Sequence, residues 1–327
     1  MPDAIGWGIL GTGKIARAFA QALQDTPGAQ LVAVASRTLV SAQSFAAGWG
    51  QVQAFGSYQA LADAPGIDIV YIATPHPMHA ANAIMALNAG RAVLCEKPFT
   101  MNRREAEQVV ALARKKKLFL MEAMWTRFMP ALAQVRSIVA SGEIGPVHQV
   151  IADFGFLAPS DPAHRINARE LGGGALLDLG IYPLSIAVAL LGPVASVRAQ
   201  AQFGPTGVDV QTGFTLLHES GAMSVCSCSL TARTPAELTV CGELGHVRMN
   251  SMFHRTASLT VTTAAGSRSI DTPYLGNGYI HEALEAQRCL RAGALESEGM
   301  TLDQTLELMG ILDNIRAQIG LQYSADA

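Results

Sequence analysis

Two glycines one residue apart, Gly11 and Gly13, follow the apolar run Ile5–Leu10 and open a segment whose apolar positions Ile15, Phe19, Ala22 and Leu23 recur at helical spacing. A strand, a tight turn and a helix in immediate succession leave few architectures open. The stretch Gly11-Thr12-Gly13-Lys14-Ile15-Ala16 reads GxGxxA. In that pattern the first glycine permits the turn, the second lets phosphates approach the backbone, and the small third residue keeps helix and sheet close. The helix start adds free N–H groups and the positive end of its dipole, so the turn is a candidate dinucleotide site.

The same grammar continues for about 120 residues. Apolar segments at 31–36, 69–73, 92–95 and 118–121 alternate with amphipathic ones, the pattern of a parallel sheet covered on both faces. Asn102 and Glu105 make a capping-box-like helix start, and Ala106, Val109, Val110 and Ala113 supply one buried stripe. The run Arg114 to Lys117 then closes that helix, where cations complement the carbonyl end of the dipole. Residues 1–124 are predicted to be an α/β doubly wound domain.

After Trp125 the period changes. A helix reaches about residue 140, and two-residue alternation follows, with Val197, Ala199, Ala201 and Phe203 inward against Arg198, Gln200 and Gln202. Further strands are expected at 208–217, 222–229, 237–241, 245–250 and 257–262. Connections such as Glu219-Ser220-Gly221 and Ala264-Ala265-Gly266 imply a largely antiparallel sheet. Helices at 278–292 and 301–319 close the chain, and the final helices are candidates to return to the first domain. Residues 125–327 form the predicted second, α+β domain, with no low-complexity linker before it.

Composition narrows the partners. With 327 residues, 50% hydrophobic, 15% charged and a formal net charge of -3, the chain has a sizeable core and no broad basic face for nucleic acid. The run at 181–191 is broken by Pro183 and falls short of the ~20 residues of a membrane span. No basic leader or small-residue cleavage site precedes the first strand, so a cytoplasmic protein is expected. Five scattered cysteines, Cys95, Cys226, Cys228, Cys241 and Cys289, fit small core residues in a reducing compartment, and none has the spacing of a metal site.

The second strand ends Ala35-Ser36-Arg37-Thr38, where an NAD site usually carries an acid for the ribose 2′-hydroxyl. Ser36 and Arg37 suit a 2′-phosphate instead, which favours NADP(H) over NAD(H). The next edge segment runs Thr74-Pro75-His76-Pro77-Met78-His79; its histidines are candidates to line the cofactor's ribose and nicotinamide. The strand after it ends Cys95-Glu96-Lys97-Pro98, putting an acid and a base at the carboxyl edge where doubly wound sheets open their ligand crevice. Lys97 can polarise a substrate oxygen or favour a deprotonated neighbour.

Taken in order, GxGxxA, Thr74-Pro75 with His79, Glu96-Lys97-Pro98 and a glycine-rich segment with an acid resemble the glucose-fructose oxidoreductase and inositol dehydrogenase family (Gfo/Idh/MocA). The segments at 117–131 and 172–184 resemble most its branch of dimeric dihydrodiol dehydrogenases and NADP-dependent D-xylose dehydrogenases. The resemblance implies a Rossmann domain followed by an open, mostly antiparallel sheet and frequent homodimerisation through that sheet. It also implies hydride transfer between nicotinamide and a sugar or cyclic alcohol.

By the same resemblance Lys97, Asp178 and Tyr182 are the catalytic candidates, and Trp125, Phe154 and Tyr279 wall the substrate site with Arg127 and Arg165 as polar contacts. Tyr182 stands where many members carry histidine. A free phenol, with a reference pKa of about 10, is a poor base at neutral pH, so the reading needs the Lys97 ammonium beside it. Asp178 would bond the substrate or Lys97, and Pro183 is expected to disturb a helix running beyond Tyr182. A non-catalytic NADPH sensor or sugar-binding regulator could use the same fold; retention of Lys97 with Asp178 and Tyr182 argues for catalysis.

Overall fold

A computed structural model of the chain describes residues 4–326. Six strands, β1 (Ile5–Leu10), β2 (Ala29–Ala35), β3 (Gln53–Phe55), β4 (Ile69–Ile72), β5 (Ala92–Glu96) and β6 (Leu120–Ala123), form a parallel sheet in the order β3-β2-β1-β4-β5-β6. That order reverses between β1 and β4, the switch point at which a doubly wound sheet binds its ligand. Residues of β1, β4, β5 and β6 are buried throughout, which is why they read as unbroken apolar runs. Between the strands lie α1 (Lys14–Asp25), α2 (Leu39–Ala46), α3 (Tyr58–Asp63), α4 (His79–Asn88) and α5 (Arg103–Lys116).

Local signals explain these helices. In α5 the Asn102 side chain accepts the Glu105 N–H at 2.9 Å, while the Glu105 carboxylate takes the Met101 N–H at 3.1 Å, and the buried stripe is the expected Ala106, Val109, Val110 and Ala113. Its last turn holds Arg114, Lys115 and Lys116, and Lys117 caps it with φ 54°. On α1, Phe19 stacks on Tyr71 at 3.7 Å and meets Trp7 edge-on at 5.3 Å, joining that helix to the sheet core.

The chain divides into two compact units: residues through Trp125 together with Leu275–Leu306, and Thr126–Tyr274 together with residues from Glu307 onward. The helix α8 (Ile280–Arg291) is part of the first unit because its buried face, including Ala283 and Ala286, lies on α1.

In the second unit, α6 (Pro130–Ser141) leads into β7 (Val147–Gly155), α7 (Ile181–Leu191), β8 (Val194–Phe203), β9 (Asp209–His218), β10 (Met223–Ser229), β11 (Leu238–Gly242), β12 (Gly245–Met249), β13 (Ser258–Thr263) and β14 (Gly266–Asp271). These strands form one sheet, β14-β13-β12-β11-β7-β10-β9-β8, antiparallel except for the parallel pair β7 and β10. The last helix, α9 (Leu302–Ile319), spans the division between units.

Three strands escaped the sequence reading. β3 is only three residues long, β14 is exposed and mostly polar, and in β7 the exposed Ile151 masks the inward alternation Val150, Ala152 and Phe154. On β8 Val197 is buried as expected, but Phe203 is 41% exposed because the pairing shifts between Gln202 and Phe203. The segment Arg169–Leu191 is long and apolar enough to cross a membrane by composition, yet most of it is buried inside the fold, the position of a core helix. All five cysteines are free; Cys241 is partly exposed and the others are buried.

Candidate active site

In the first unit, the candidate residues gather on the carboxyl edge of the parallel sheet. Gly11 has φ +105°, and a Cβ there would lie 2.5 Å from the Ala73 carbonyl oxygen, so only glycine fits. Gly13 is the N-cap of α1 with no side-chain cap, and a Cβ built on it meets nothing within 4 Å. The first turn of α1 therefore keeps its N–H groups for a ligand, with the dipole favouring an anion. Thr12 and Ser36 approach through their hydroxyls at 3.4 Å, and Arg37 is exposed just beyond, with its charge felt by the Tyr58 phenol.

His79 is fully buried, its ring nitrogens 2.9 Å from the Pro98 carbonyl and 2.8 Å from the Thr74 carbonyl. Burial lowers its pKa against the pull of those carbonyls, and the ring ties the loop after β4 to the turn after β5. It reaches the edge through the backbone it braces, a correction to its expected place against the cofactor. Thr74 is held by Asn82 at 3.0 Å, and His76 lies 5.7 Å from His79 ring to ring.

Glu96 is also committed within the fold. Its carboxylate accepts the Tyr71 hydroxyl and, at 3.2 Å, the Lys97 N–H, which orients the turn carrying the partly exposed Lys97; the Lys97–Pro98 peptide is cis. Fully buried Glu282 on α8 brings a second carboxyl to this cluster. Desolvation, with the Glu96 charge added, holds Glu282 well above the usual carboxylate range, and burial beside the two carboxyl groups raises the Tyr71 phenol. At the start of α8, the Tyr279 ring lies 4.5 Å from that of Trp125.

The second unit gathers the remaining candidates. Leu176–Gly180 forms a π-helical turn, with the Ile181 N–H reaching back five residues to Leu176, and α7 continues from it directly. Such turns often occur at functional sites. α7 runs on through Pro183 to Leu191, so the disturbance expected beyond Tyr182 does not end the helix. Asp178 accepts a two-point contact from Arg165 at 3.1 and 3.2 Å. The geometry is bidentate, which fixes the carboxylate plane.

Phe154 meets Tyr182 edge-on at 5.4 Å and stacks on His254 at 4.5 Å; the Tyr182 and His254 rings are 5.6 Å apart. His254 was missed in the sequence, having no motif around it; the sheet register brings it to Phe154. Arg127 is buried and donates to the Ser185 hydroxyl on α7 at 2.8 Å.

Comparison with known proteins follows the same division. The oxidoreductase family with an NAD-binding Rossmann fold, Gfo/Idh/MocA, matches residues 5–124, and its C-terminal domain matches residues 132–248. A trans-1,2-dihydrobenzene-1,2-diol dehydrogenase from Danio rerio is 36% identical, covering 99% of both chains. The D-xylose 1-dehydrogenase (NADP(+)) of Hypocrea jecorina is 33% identical over 98% of this chain and 94% of its own. Among solved structures, a 3-ketoreductase from Actinomadura kijaniata in complex with NADP and TDP-benzene has a TM-score of 0.87 at 26% identity, covering 97% of this chain and 98% of that one. An aldose-aldose oxidoreductase from Caulobacter crescentus complexed with glycerol has a TM-score of 0.88 at 25% identity, covering 96% and 97%.

Proposed function

Because the chain belongs to the Gfo/Idh/MocA oxidoreductase family, we propose that it is an NADP(H)-dependent dehydrogenase or reductase acting on the CH–OH group of a sugar or cyclic dihydrodiol. The observation that carries this reading is Lys97 at the end of β5, on the same sheet edge as the uncapped Gly13 turn. Gly11, Thr12, Gly13, Lys14 and Ile15 hold the pyrophosphate, Ser36 and Arg37 the 2′-phosphate, and Thr74, Pro75, His76, Glu96 and Lys97 the ribose and nicotinamide side. When bound, the nicotinamide exchanges hydride with the carbinol carbon.

The chain's own residues handle the proton. Tyr182 takes the hydroxyl proton during oxidation and returns it during reduction, while the Lys97 ammonium favours the phenolate. Asp178, oriented by Arg165, accepts a substrate hydroxyl; Trp125, Tyr279 and Phe154 offer flat apolar faces to a ring. The dihydrodiol and xylose dehydrogenase relatives support this substrate class, and the NADP named for two of the compared proteins supports the cofactor.

The protein also forms a homodimer through the outer face of the eight-stranded sheet, where Ile151, Leu217, Met223 and Val225 are 46, 42, 44 and 39% exposed and sit in neighbouring register on β7, β10 and β9.

Nicotinamide absorbance, followed across a panel of aldoses, dihydrodiols and dicarbonyls with NADP(H), tests the reading. Tyr182→Phe should lower turnover at least ~100-fold with cofactor still bound, the scale of one positioned acid-base group. Near-normal turnover would remove Tyr182 from that role, and silence of the unmodified protein across the panel would favour a sensor. Arg37→Ala should raise the KM for NADP(+) at least ~10-fold and leave that for NAD(+) unchanged, as expected for one lost charge-assisted contact.

A further inference from the structure

The C-terminal tail lies against the turn that launches the Asp178–Tyr182 segment. Gly320 leaves α9 with φ +76°, and the Leu321 N–H returns to the Arg316 carbonyl at 2.9 Å. Tyr323, 5% exposed, then donates its hydroxyl to the Gly173 carbonyl at 2.6 Å. Arg169, just before the glycines, donates Nε and Nη2 to the Gln322 carbonyl at 2.9 and 2.6 Å.

The tail is itself locked. Buried Arg316 holds Asp326 at 2.5 Å and Asp313 at 2.6 Å, and the Asp326 carboxylate accepts the Tyr323 N–H at 2.8 Å. From β9, fully buried Asp209 accepts the Leu176 N–H at 2.8 Å and the Thr212 hydroxyl at 2.6 Å. Gly174, with φ +127°, is confined between these anchors: a Cβ there would lie 2.3 Å from Asp209 Oδ1 and 3.1 Å from the Tyr323 hydroxyl.

Two of these contacts act directly on the backbone just before Asp178, the Tyr323 hydroxyl on the Gly173 carbonyl and the Asp209 carboxylate on the Leu176 N–H. The direction in which a helical side chain points follows from the phase of the turn it starts from, because successive residues are related by a fixed rotation. We propose that Tyr323 and Asp209 are positioning residues for the reaction: together they clamp the glycine turn, so that the segment after it presents Asp178 and Tyr182 in one phase. The proposal rests on the function given above for those two side chains.

The experiment compares Tyr323→Phe, Asp209→Ala and Asp209→Asn in the full chain by amide hydrogen exchange over residues 172–182 and by kcat and KM per folded molecule. Tyr323→Phe keeps the buried ring and removes one hydrogen bond. Exchange in that segment should quicken about tenfold and kcat fall about tenfold, the scale of one buried hydrogen bond, with the KM for NADP(+) unchanged. Asp209→Asn, whose amide oxygen still accepts the Leu176 N–H, should keep the kcat that Asp209→Ala loses.

Wild-type exchange in the segment, a wild-type kcat despite faster exchange, or Asp209→Asn no better than Asp209→Ala would each overturn the proposal. A purely structural role would lower thermal stability and leave kcat per folded molecule alone. If Asp209→Ala does not fold, Tyr323→Phe decides. Silence of the unmodified protein on every substrate would refute the function, and the exchange measurement would still decide whether the clamp exists.

Discussion

Glu282 and Glu96 bring two carboxyl groups into one buried neighbourhood and give them different hydrogen-bond partners. Glu96 receives two donors, from Tyr71 and the Lys97 backbone. Glu282 is held well above the usual carboxylate range, first by desolvation and then by the Glu96 carboxylate beside it. The linkage has a definite sign. Above the unfolded glutamic acid value, about 4.3, the unfolded chain releases the Glu282 proton while the folded chain retains it, so the group's contribution to stability is present at low pH and lost as pH rises toward its elevated folded value. Glu282→Gln removes that titration. Its melting temperature relative to wild type should therefore increase between pH 5 and pH 8, as followed by circular dichroism; a difference independent of pH would show that Glu282 ionises normally.

At the scale of elements, the helix bearing the basic cluster and the helix bearing the site candidates begin differently. α5 starts with a cap that the sequence already spells, Asn102 accepting the Glu105 N–H. Asn102→Ala should destabilise the protein by about 1 kcal/mol in urea unfolding, the usual cost of a lost side-chain cap. α7 has no side-chain cap and grows out of the π turn, which absorbs Pro183 and keeps Asp178 and Tyr182 on one continuous segment. The proline was legible in the sequence, but the five-residue hydrogen bond preceding it was not, because that bond depends on the anchored glycine turn.

At the scale of the whole molecule, the outer face of the large sheet carries the test of association. Val225 sits opposite Ile151 on β7 and Thr215 on β9, in the middle of the exposed apolar row. Val225→Glu places a charge there, which should convert a dimer to a monomer in sedimentation equilibrium at micromolar concentration while leaving the fold intact. A wild-type protein that sediments as a monomer would refute the proposed interface.

What could be read from the chain alone was whatever depends on neighbours in sequence. The GxGxxA turn, the apolar runs of the parallel sheet, the Asn102 cap and the Glu96-Lys97-Pro98 strand end all follow from steric limits, helical and strand periodicity, and proline geometry within a few residues. Tertiary structure alone joined His254 to Phe154, Glu282 to Glu96, and Tyr323 to Gly173. It also joined the His79 ring to the Pro98 and Thr74 carbonyls and Arg127 to Ser185. Those contacts arise from strand register and from helices returning across long loops, where packing and desolvation depend on residues that no local pattern brings together.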